Sequence, residues 1–172
     1  MKIILLGYMA SGKSFIGEKI AKLLKYDFVD LDNYIENREK KTVKSIFEDN
    51  GELYFRKKEH LYLKELLDRN NKMVLSLGGG TPCYYNNMNM ITSIENVTSI
   101  YLRVSIPEIV KRVKSEKAKR PLIAHIETEE LLIEFIGKHL FERSNYYNQA
   151  DIVIDANEDA SAIMESLLVK LF

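Results

Sequence analysis

Short apolar segments alternate with amphipathic segments along the whole chain. The apolar runs cover residues 2–6, 28–29, 73–77, 98–104 and 152–154. Continuous runs of this length are typical of strands that are buried on both faces of a parallel sheet. Between the runs, apolar residues recur at helical spacing, as at Ile16, Ile20, Leu23 and Leu24 and again at Ile163, Leu167 and Phe172. The pattern predicts a three-layer α/β fold in which helices cover a five-stranded parallel sheet.

Size and composition fit one cytoplasmic domain. The 172 residues contain no repeat, low-complexity tract or linker, so we expect a single domain over residues 1–172. The one cysteine, Cys83, cannot form an internal disulfide, which favours a reduced, cytoplasmic protein. The first apolar run breaks at Gly7 with no small-residue cleavage site, so a strand explains it better than a signal peptide.

The overall charge is balanced. The chain has 25 basic and 25 acidic side chains, and its net charge is zero. This balance gives no reason to expect a nucleic acid or a membrane as a partner, and any anion site must be local. We expect a monomer that acts on small molecules.

Residues 7–14, GYMASGKS, match the phosphate-loop pattern G-x-x-x-x-G-K-[ST] between a predicted strand and a predicted helix. The glycines let backbone N–H groups point at phosphate oxygens, and the positive end of the following helix adds to the field. Lys13 would reach the β- and γ-phosphates, and Ser14 would ligate Mg²⁺. A glycine-rich turn that only caps a helix is a poor competitor, because chance matches occur in on the order of one such chain in 200. The run at Asn71 to Met73 lacks the aspartate of a guanine-binding N-K-x-D motif, which weakens a GTP-switch interpretation.

An acidic pair, Asp30 and Asp32, ends the second predicted strand. Residues two apart on an extended chain point the same way, so both carboxylates can face the nucleotide cleft. One could order the Mg²⁺ shell, and the other could accept the proton of an attacking hydroxyl. A simpler alternative, compatible with such a role, is that Asp32 caps a helix over residues 33–40.

Three successive glycines, Gly78, Gly79 and Gly80, follow the third predicted strand. Each glycine loses extra conformational freedom on folding, and a bare turn would need only one or two of them. We therefore favour a close approach of backbone N–H groups to a bound substrate.

Two arginines are candidates for binding an anionic substrate. Arg56 lies early in a predicted helix over residues 51–70, where a solvated charge is ordinarily the better interpretation. Arg143 lies on an otherwise apolar stripe formed by Ile136, Leu140 and Tyr147. It should therefore point inward, where a guanidinium needs a planar anion such as a carboxylate or phosphate. Both guanidiniums are expected to lack an anion until substrate binds.

The least apolar stretch of the chain covers residues 114–120 and contains Lys114, Lys117, Lys119 and Arg120. Pro121 follows it, and the composition predicts an exposed loop. The simpler interpretation is a soluble basic loop. The functional interpretation is a lid over about residues 114–125 whose arginine reaches the transferring phosphoryl group.

Taken in order, these motifs resemble those of the shikimate kinase family over nearly the whole chain. The matches are the phosphate loop, the D-x-D of residues 30–32, F-R-x-x-E at Phe55, Arg56 and Glu59, the glycines 78–80, R-P-L at residues 120–122, and E-R-x-x-x-Y at Glu142 and Arg143 with Tyr146 or Tyr147. The resemblance implies transfer of the ATP γ-phosphoryl group to the 3-hydroxyl of shikimate, with Mg²⁺ as cofactor. A resemblance to nucleoside-monophosphate kinases implies the strand order 2-3-1-4-5.

The resemblance also implies a role for each matching residue. Asp32 would contact the shikimate hydroxyls and act as the base, and Asp30 would support Mg²⁺ beside Ser14. Arg120 would close over the phosphates and take part in catalysis with Lys13 and Asp32. The substrate-binding residues, of which the two arginines grip the carboxylate, would be Asp32, Arg56, Gly78, Gly79, Gly80 and Arg143.

The implied ATP contacts join the phosphate loop, the lid and an adenine site. They are Gly7, Ala10, Ser11, Gly12, Lys13, Ser14, Phe15, Arg112, Arg120 and Asn157. Arg112 and Asn157 follow from the family alone, which places a basic residue before the lid and a loop after the last strand around the base. This chain departs from the family pattern by carrying Glu158 and Asp159 in that loop.

Two other functions compete with this one. A gluconate kinase shares the phosphate loop and the sheet, and its acid substrate would also need an arginine; the triple glycine together with F-R-x-x-E favours shikimate. A non-catalytic, nucleotide-dependent binding module should have lost Lys13, Asp32 or Arg120, and the chain retains all three.

Overall fold

The structure, a computed structural model, describes residues 1–116, 120 and 122–172. Four residues of the predicted lid, Lys117, Ala118, Lys119 and Pro121, lie outside this described part. Among the described residues, no helix combines the length and apolar character needed to cross a membrane.

Five parallel strands form one sheet. They are β1 (Lys2–Leu6), β2 (Asp27–Asp30), β3 (Met73–Ser76), β4 (Val97–Arg103) and β5 (Ile152–Asp155). Their order is β2-β3-β1-β4-β5, and every neighbouring pair is parallel. Both the five-stranded sheet and its order confirm the predictions.

The helices follow the strands along the chain. They are α1 (Lys13–Leu24), α2 (Leu31–Glu39), α3 (Val43–Asp68), α4 (Asn87–Thr92), α5 (Ile106–Lys114), α6 (Glu129–Tyr147) and α7 (Ala160–Leu171), with a short 3₁₀ helix at Thr81–Cys83. Residues 3–6 of β1 have no exposed surface. A strand buried on both faces requires helices on both sides of the sheet, as the continuous apolar runs predict.

The predicted apolar faces of the first and last helices are confirmed in part. Ile16 and Ile20 of α1 are buried, whereas Leu23 is 56% exposed. Leu23 is on a different face of the last turn of α1 from Leu24, which packs against the core. Phe172 is 77% exposed because it follows the end of α7 and has left the face that buries the earlier apolar residues.

Helix α3 begins earlier than predicted. It starts at Val43, where Thr42 accepts a hydrogen bond from the backbone N–H of Ser45 and so caps it. Gly51 interrupts the helix with a left-handed φ of 83°, which glycine adopts at little cost. The predicted start near residue 51 therefore marks a break inside α3.

Candidate active site

The phosphate loop connects β1 to α1 at the carboxyl edge of the sheet, where open α/β folds bind ligands. Gly12 has a φ of 87°, and a Cβ at Gly7 would lie 2.7 Å from the carbonyl oxygen of Leu102. Both positions therefore require glycine. No side chain caps the first turn of α1, so its N–H groups and its dipole are available to an anion.

Lys13 folds back across its own loop. Its Nζ donates to the carbonyl oxygens of Gly7 at 2.8 Å and Tyr8 at 3.0 Å. Burial of the ammonium end lowers the pKa of Lys13 to about 8, although the carboxylates of Asp32 and Asp30 oppose the shift. A triphosphate in the loop would give this cation an anionic partner.

Asp30 caps α2, and its carboxylate also meets the phosphate loop. Its Oδ1 accepts from the backbone N–H of Asn33 at 3.2 Å, and its Oδ2 accepts from Ser14 Oγ at 2.6 Å. The predicted capping role of Asp32 is therefore wrong, because the helix begins two residues earlier than expected. A hydroxyl and a carboxylate are the oxygen donors that Mg²⁺ takes from proteins beside phosphates, so Ser14 and Asp30 fit this ion.

Asp32 lies in the first turn of α2, since β2 ends at Asp30. Asp30 and Asp32 both line one cleft, as predicted. The predicted reason is wrong, because the two residues are not on one extended strand: a helix starts between them at the edge of the sheet. Burial raises the pKa of Asp32 to about 6, and the negative charges of Asp30 and Glu59 add to the shift. Such a carboxylate is a stronger proton acceptor than an exposed one.

A cavity of about 550 Å³ extends from the phosphate loop to the glycine segment. Besides that loop, its lining includes Asp30, Asp32, Gly78, Gly79, Glu116 and Arg120. Arg120 donates from Nη2 to Glu116 at 2.7 Å. Neither Arg56 nor Arg143 lines this cavity, and both adjoin it through the glycine segment.

Each of the three glycines leaves room for a charged side chain of the protein. A Cβ at Gly78 would lie 3.0 Å from Asp32 Oδ1, and one at Gly79 would lie 3.0 Å from Arg143 Nη1. At Gly80 it would lie 2.5 Å from Arg56 Nη2. The segment thus brings one carboxylate and two guanidiniums against the backbone. These contacts are a second reason for three successive glycines, besides a close approach to substrate.

Arg56 is buried and already paired. Only 8% of the residue is exposed, and Nη1 donates to Glu59 Oε1 at 2.8 Å. Burial alone would lower the pKa of Arg56, but the carboxylate of Glu59 raises it. Glu59 is fully buried and also accepts from Thr81 Oγ1 at 2.7 Å. The interpretation of Arg56 as a solvated charge is therefore wrong. The expectation that Arg56 has no anionic partner before substrate binds is also wrong.

Arg143 points into the site from α6, as the apolar stripe predicts. It is half-buried, and its guanidinium carbon lies 5.9 Å from the ring centre of Tyr8 in the phosphate loop. Tyr147, one turn later, donates from its hydroxyl to the carbonyl oxygen of Gly79 at 2.6 Å. In the described part of the chain, Arg143 forms no salt bridge. Its guanidinium can therefore accept an external anion.

The predicted adenine contacts are partly engaged with the protein itself. Arg112 donates to the carbonyl oxygens of Ala10 at 3.1 Å and Ala156 at 2.8 Å, and so joins the phosphate loop to the segment after β5. In that segment, Asn157 Oδ1 accepts from the backbone N–H of Ser105 at 2.9 Å. Phe15 is 56% exposed at the cavity.

Asp159, one of the two acidic residues in the loop after β5, has a structural role. Its carboxylate accepts from the N–H groups of Ser161 and Ala162 at 2.8 and 3.0 Å and caps α7. The acidic residue at position 159 therefore has a local structural cause.

Several residues near the site were missed by the sequence analysis. They are Tyr8, Glu52, Thr81, Tyr84 and His139. Tyr8 binds His139 Nδ1 through its hydroxyl at 2.9 Å, which joins the phosphate loop to α6. The pairings of Arg56 with Glu52 and Glu59 had a usable signal, because residues three or four apart on a helix are neighbours.

The phosphate loop, the carboxylates after β2 and the sheet order together define a P-loop kinase. A family model described as shikimate kinase matches residues 9–172. A shikimate kinase from Flavobacterium johnsoniae is 48% identical over 87% of this chain and 86% of its own. The crystal structure of shikimate kinase from Bacteroides thetaiotaomicron superposes with a TM-score of 0.90 at 34% identity, covering 99% of this chain and 98% of that one. The shikimate kinase of Acinetobacter baumannii, solved in complex with shikimate, gives 0.82 at 30% identity over 99% and 91%.

The chain belongs to the shikimate kinase family. It is accordingly an ATP-dependent kinase, and the family resemblance seen in its motifs is confirmed.

Proposed function

We propose that this protein transfers the γ-phosphoryl group of ATP to the 3-hydroxyl of shikimate at the cavity between the phosphate loop and the glycine segment. The observation that carries the assignment of residues is the position of Asp32, Arg143 and Arg56 against three successive glycines. A small hydroxylated acid needs such a set: guanidiniums for its carboxylate and a base for its hydroxyl. The Acinetobacter baumannii relative, solved with shikimate, supports this choice of acceptor.

The nucleotide would bind with its phosphates at residues 7–14. The N–H groups of the loop, the N-terminus of α1 and Lys13 would surround the β- and γ-phosphates. Ser14 and Asp30 would supply protein ligands to Mg²⁺, which neutralises charge on the phosphates when bound. Arg112 and Asn157 would lie beside the base. Ala156, the residue between β5 and Asn157, would lie there with them.

The acceptor hydroxyl would lie against Asp32. With a pKa of about 6, this carboxylate is ionised at neutral pH and is still basic enough to accept the proton as the oxygen attacks phosphorus. Arg143 and Arg56 would bind the shikimate carboxylate and so orient the ring. Arg120, part of a lid over about residues 114–125, would stabilise charge on the transferring group. We further propose a cytoplasmic monomer with one domain over residues 1–172.

The test is a coupled assay of ADP release with shikimate, quinate and gluconate side by side. Turnover is expected with shikimate, and kcat/KM should be much lower with the other two acids. The Asp32→Asn protein serves as the control, since it retains the phosphate loop and should show only background ATP hydrolysis. Equal activity with gluconate would contradict the assignment of the acceptor.

A further inference from the structure

Tyr84 covers the face of the Arg56 guanidinium. Its ring follows the short 3₁₀ helix, and its centre lies 4.2 Å from the guanidinium carbon, the shortest such cation–π distance in the described part of the chain. The Tyr84 hydroxyl donates to Glu52 Oε1 at 3.0 Å, and the same oxygen lies 3.6 Å from Arg56 Nε. Tyr84 belongs to none of the motifs that carry the family resemblance.

The other sides of this guanidinium are also fixed. Glu59 binds Nη1 at 2.8 Å, and Gly80 leaves space for Nη2 that a Cβ would fill. Arg56 Nε is buried and has no hydrogen-bond partner among the described residues. Nε faces Glu52, whose Oε1 lies 3.6 Å away, too far for a hydrogen bond. Nη2 forms no hydrogen bond to the described residues, so it is the nitrogen left to bind an external anion through a charge-assisted bond.

We propose that Tyr84 is a positioning residue for shikimate: its ring fixes the plane of the Arg56 guanidinium and so the direction in which Nη2 donates to the substrate carboxylate. The inference rests on the proposed role of Arg56. A planar fork binds a carboxylate well in one orientation only, and the negative face of an aromatic ring stabilises a cation stacked on it. Glu59 holds Nη1 in place, and the ring of Tyr84 holds the plane of the guanidinium against tilting.

The first test is the Tyr84→Leu protein. Loss of the ring should raise the KM for shikimate by about two- to thirtyfold, the range of a single cation–π contact. The KM for ATP and kcat with saturating shikimate should change less than twofold, roughly. The adjacent Tyr85 gives a matched control, because it stacks on His60 and is exposed. Tyr85→Leu should leave both KM values unchanged.

A second test separates the electrostatic effect of the aromatic ring from its effect on packing. It also applies if the Tyr84→Leu protein does not fold. The Tyr84→Phe protein retains the ring and should bind shikimate nearly normally. Phenylalanine with one, two or three ring fluorines at this position has nearly the same shape but a progressively weaker negative face. The KM for shikimate should rise with each fluorine, and a KM independent of fluorination would overturn the inference.

The Arg56→Lys protein distinguishes failure of this inference from failure of the proposed site. If Arg56→Lys raises the KM for shikimate but the Tyr84 variants do not, Arg56 binds substrate without help from Tyr84 and only the inference is wrong. If neither Arg56→Lys nor the Tyr84 variants change it, the carboxylate site itself is misplaced and the inference is overturned with it.

Discussion

A single methyl group at Gly80 should displace Arg56 and weaken shikimate binding. In the Gly80→Ala protein, the new Cβ would lie 2.5 Å from Arg56 Nη2, 2.8 Å from Nη1 and 2.9 Å from Cζ. Ordinary contacts begin at 3.4 Å, so the guanidinium must move by about 0.9 Å. The φ of Gly80 is −86°, which alanine adopts without strain.

The magnitude follows from what the displaced guanidinium loses. A shift of this size breaks the 2.8 Å bond to Glu59 or moves the fork away from the substrate. Loss of one hydrogen bond between charged groups costs about 1.5–3 kcal/mol. If the loss falls on the substrate, the KM for shikimate rises by roughly tenfold to over a hundredfold. The KM for ATP should stay nearly constant, because the phosphate loop is untouched.

Steady-state kinetics of the Gly80→Ala protein, with each substrate varied in turn, measure this effect. Gly137→Ala is the matched control, since a Cβ there meets only Ile106 Cδ1 at 3.6 Å. Gly137 lies inside α6, and alanine should stabilise the helix by about 0.5–1 kcal/mol without a change in kinetics. A folded Gly80→Ala protein with a normal KM for shikimate would refute the argument that the position of Arg56 controls substrate binding.

Two further substitutions test the phosphate loop and the base. Lys13→Ala should lower kcat by about a hundredfold or more with little change in melting temperature, since the ammonium acts on phosphates; near-normal turnover would refute the loop assignment. Asp32→Asn should lower kcat strongly, and in the wild type kcat/KM should fall below about pH 6, where the base becomes protonated. Because folding raises the pKa of Asp32, the wild type loses stability as the pH rises through about 6. Asparagine carries no charge, so the melting temperature of Asp32→Asn should exceed that of the wild type by more near pH 7 than near pH 4. A constant difference between the two melting temperatures across that range would contradict the raised pKa.

The sheet and the phosphate loop could be predicted because their signals are local. Buried parallel strands produce continuous apolar runs, and the loop has a fixed spacing of glycines, Lys13 and Ser14. The inward direction of Arg143 was also readable, since its neighbours at helical spacing are apolar. The roles of the individual site residues stay predictions that the experiments above address.

The remaining features depend on contacts between distant parts of the chain. Nothing near Gly80 in the sequence indicates that its missing side chain leaves room for Arg56, which lies 24 residues earlier. The stacking of Tyr84 on Arg56 is hidden for the same reason. The helix cap was assigned to Asp32 instead of Asp30 because neighbouring aspartates cap equally well, and only the end of β2 decides between them.

Calorimetric titration of the Arg143→Lys protein tests most directly the claim that the guanidiniums at the glycine segment bind the acceptor. Arg143 suits the test because, within the described residues, no carboxylate pairs with it. A lysine keeps the charge but cannot form the planar two-bond contact, so the affinity for shikimate should fall by roughly tenfold to over a hundredfold while ADP binds normally. If ADP binding weakens as much as shikimate binding, Arg143 belongs to the nucleotide site and the account of the substrate pocket is wrong.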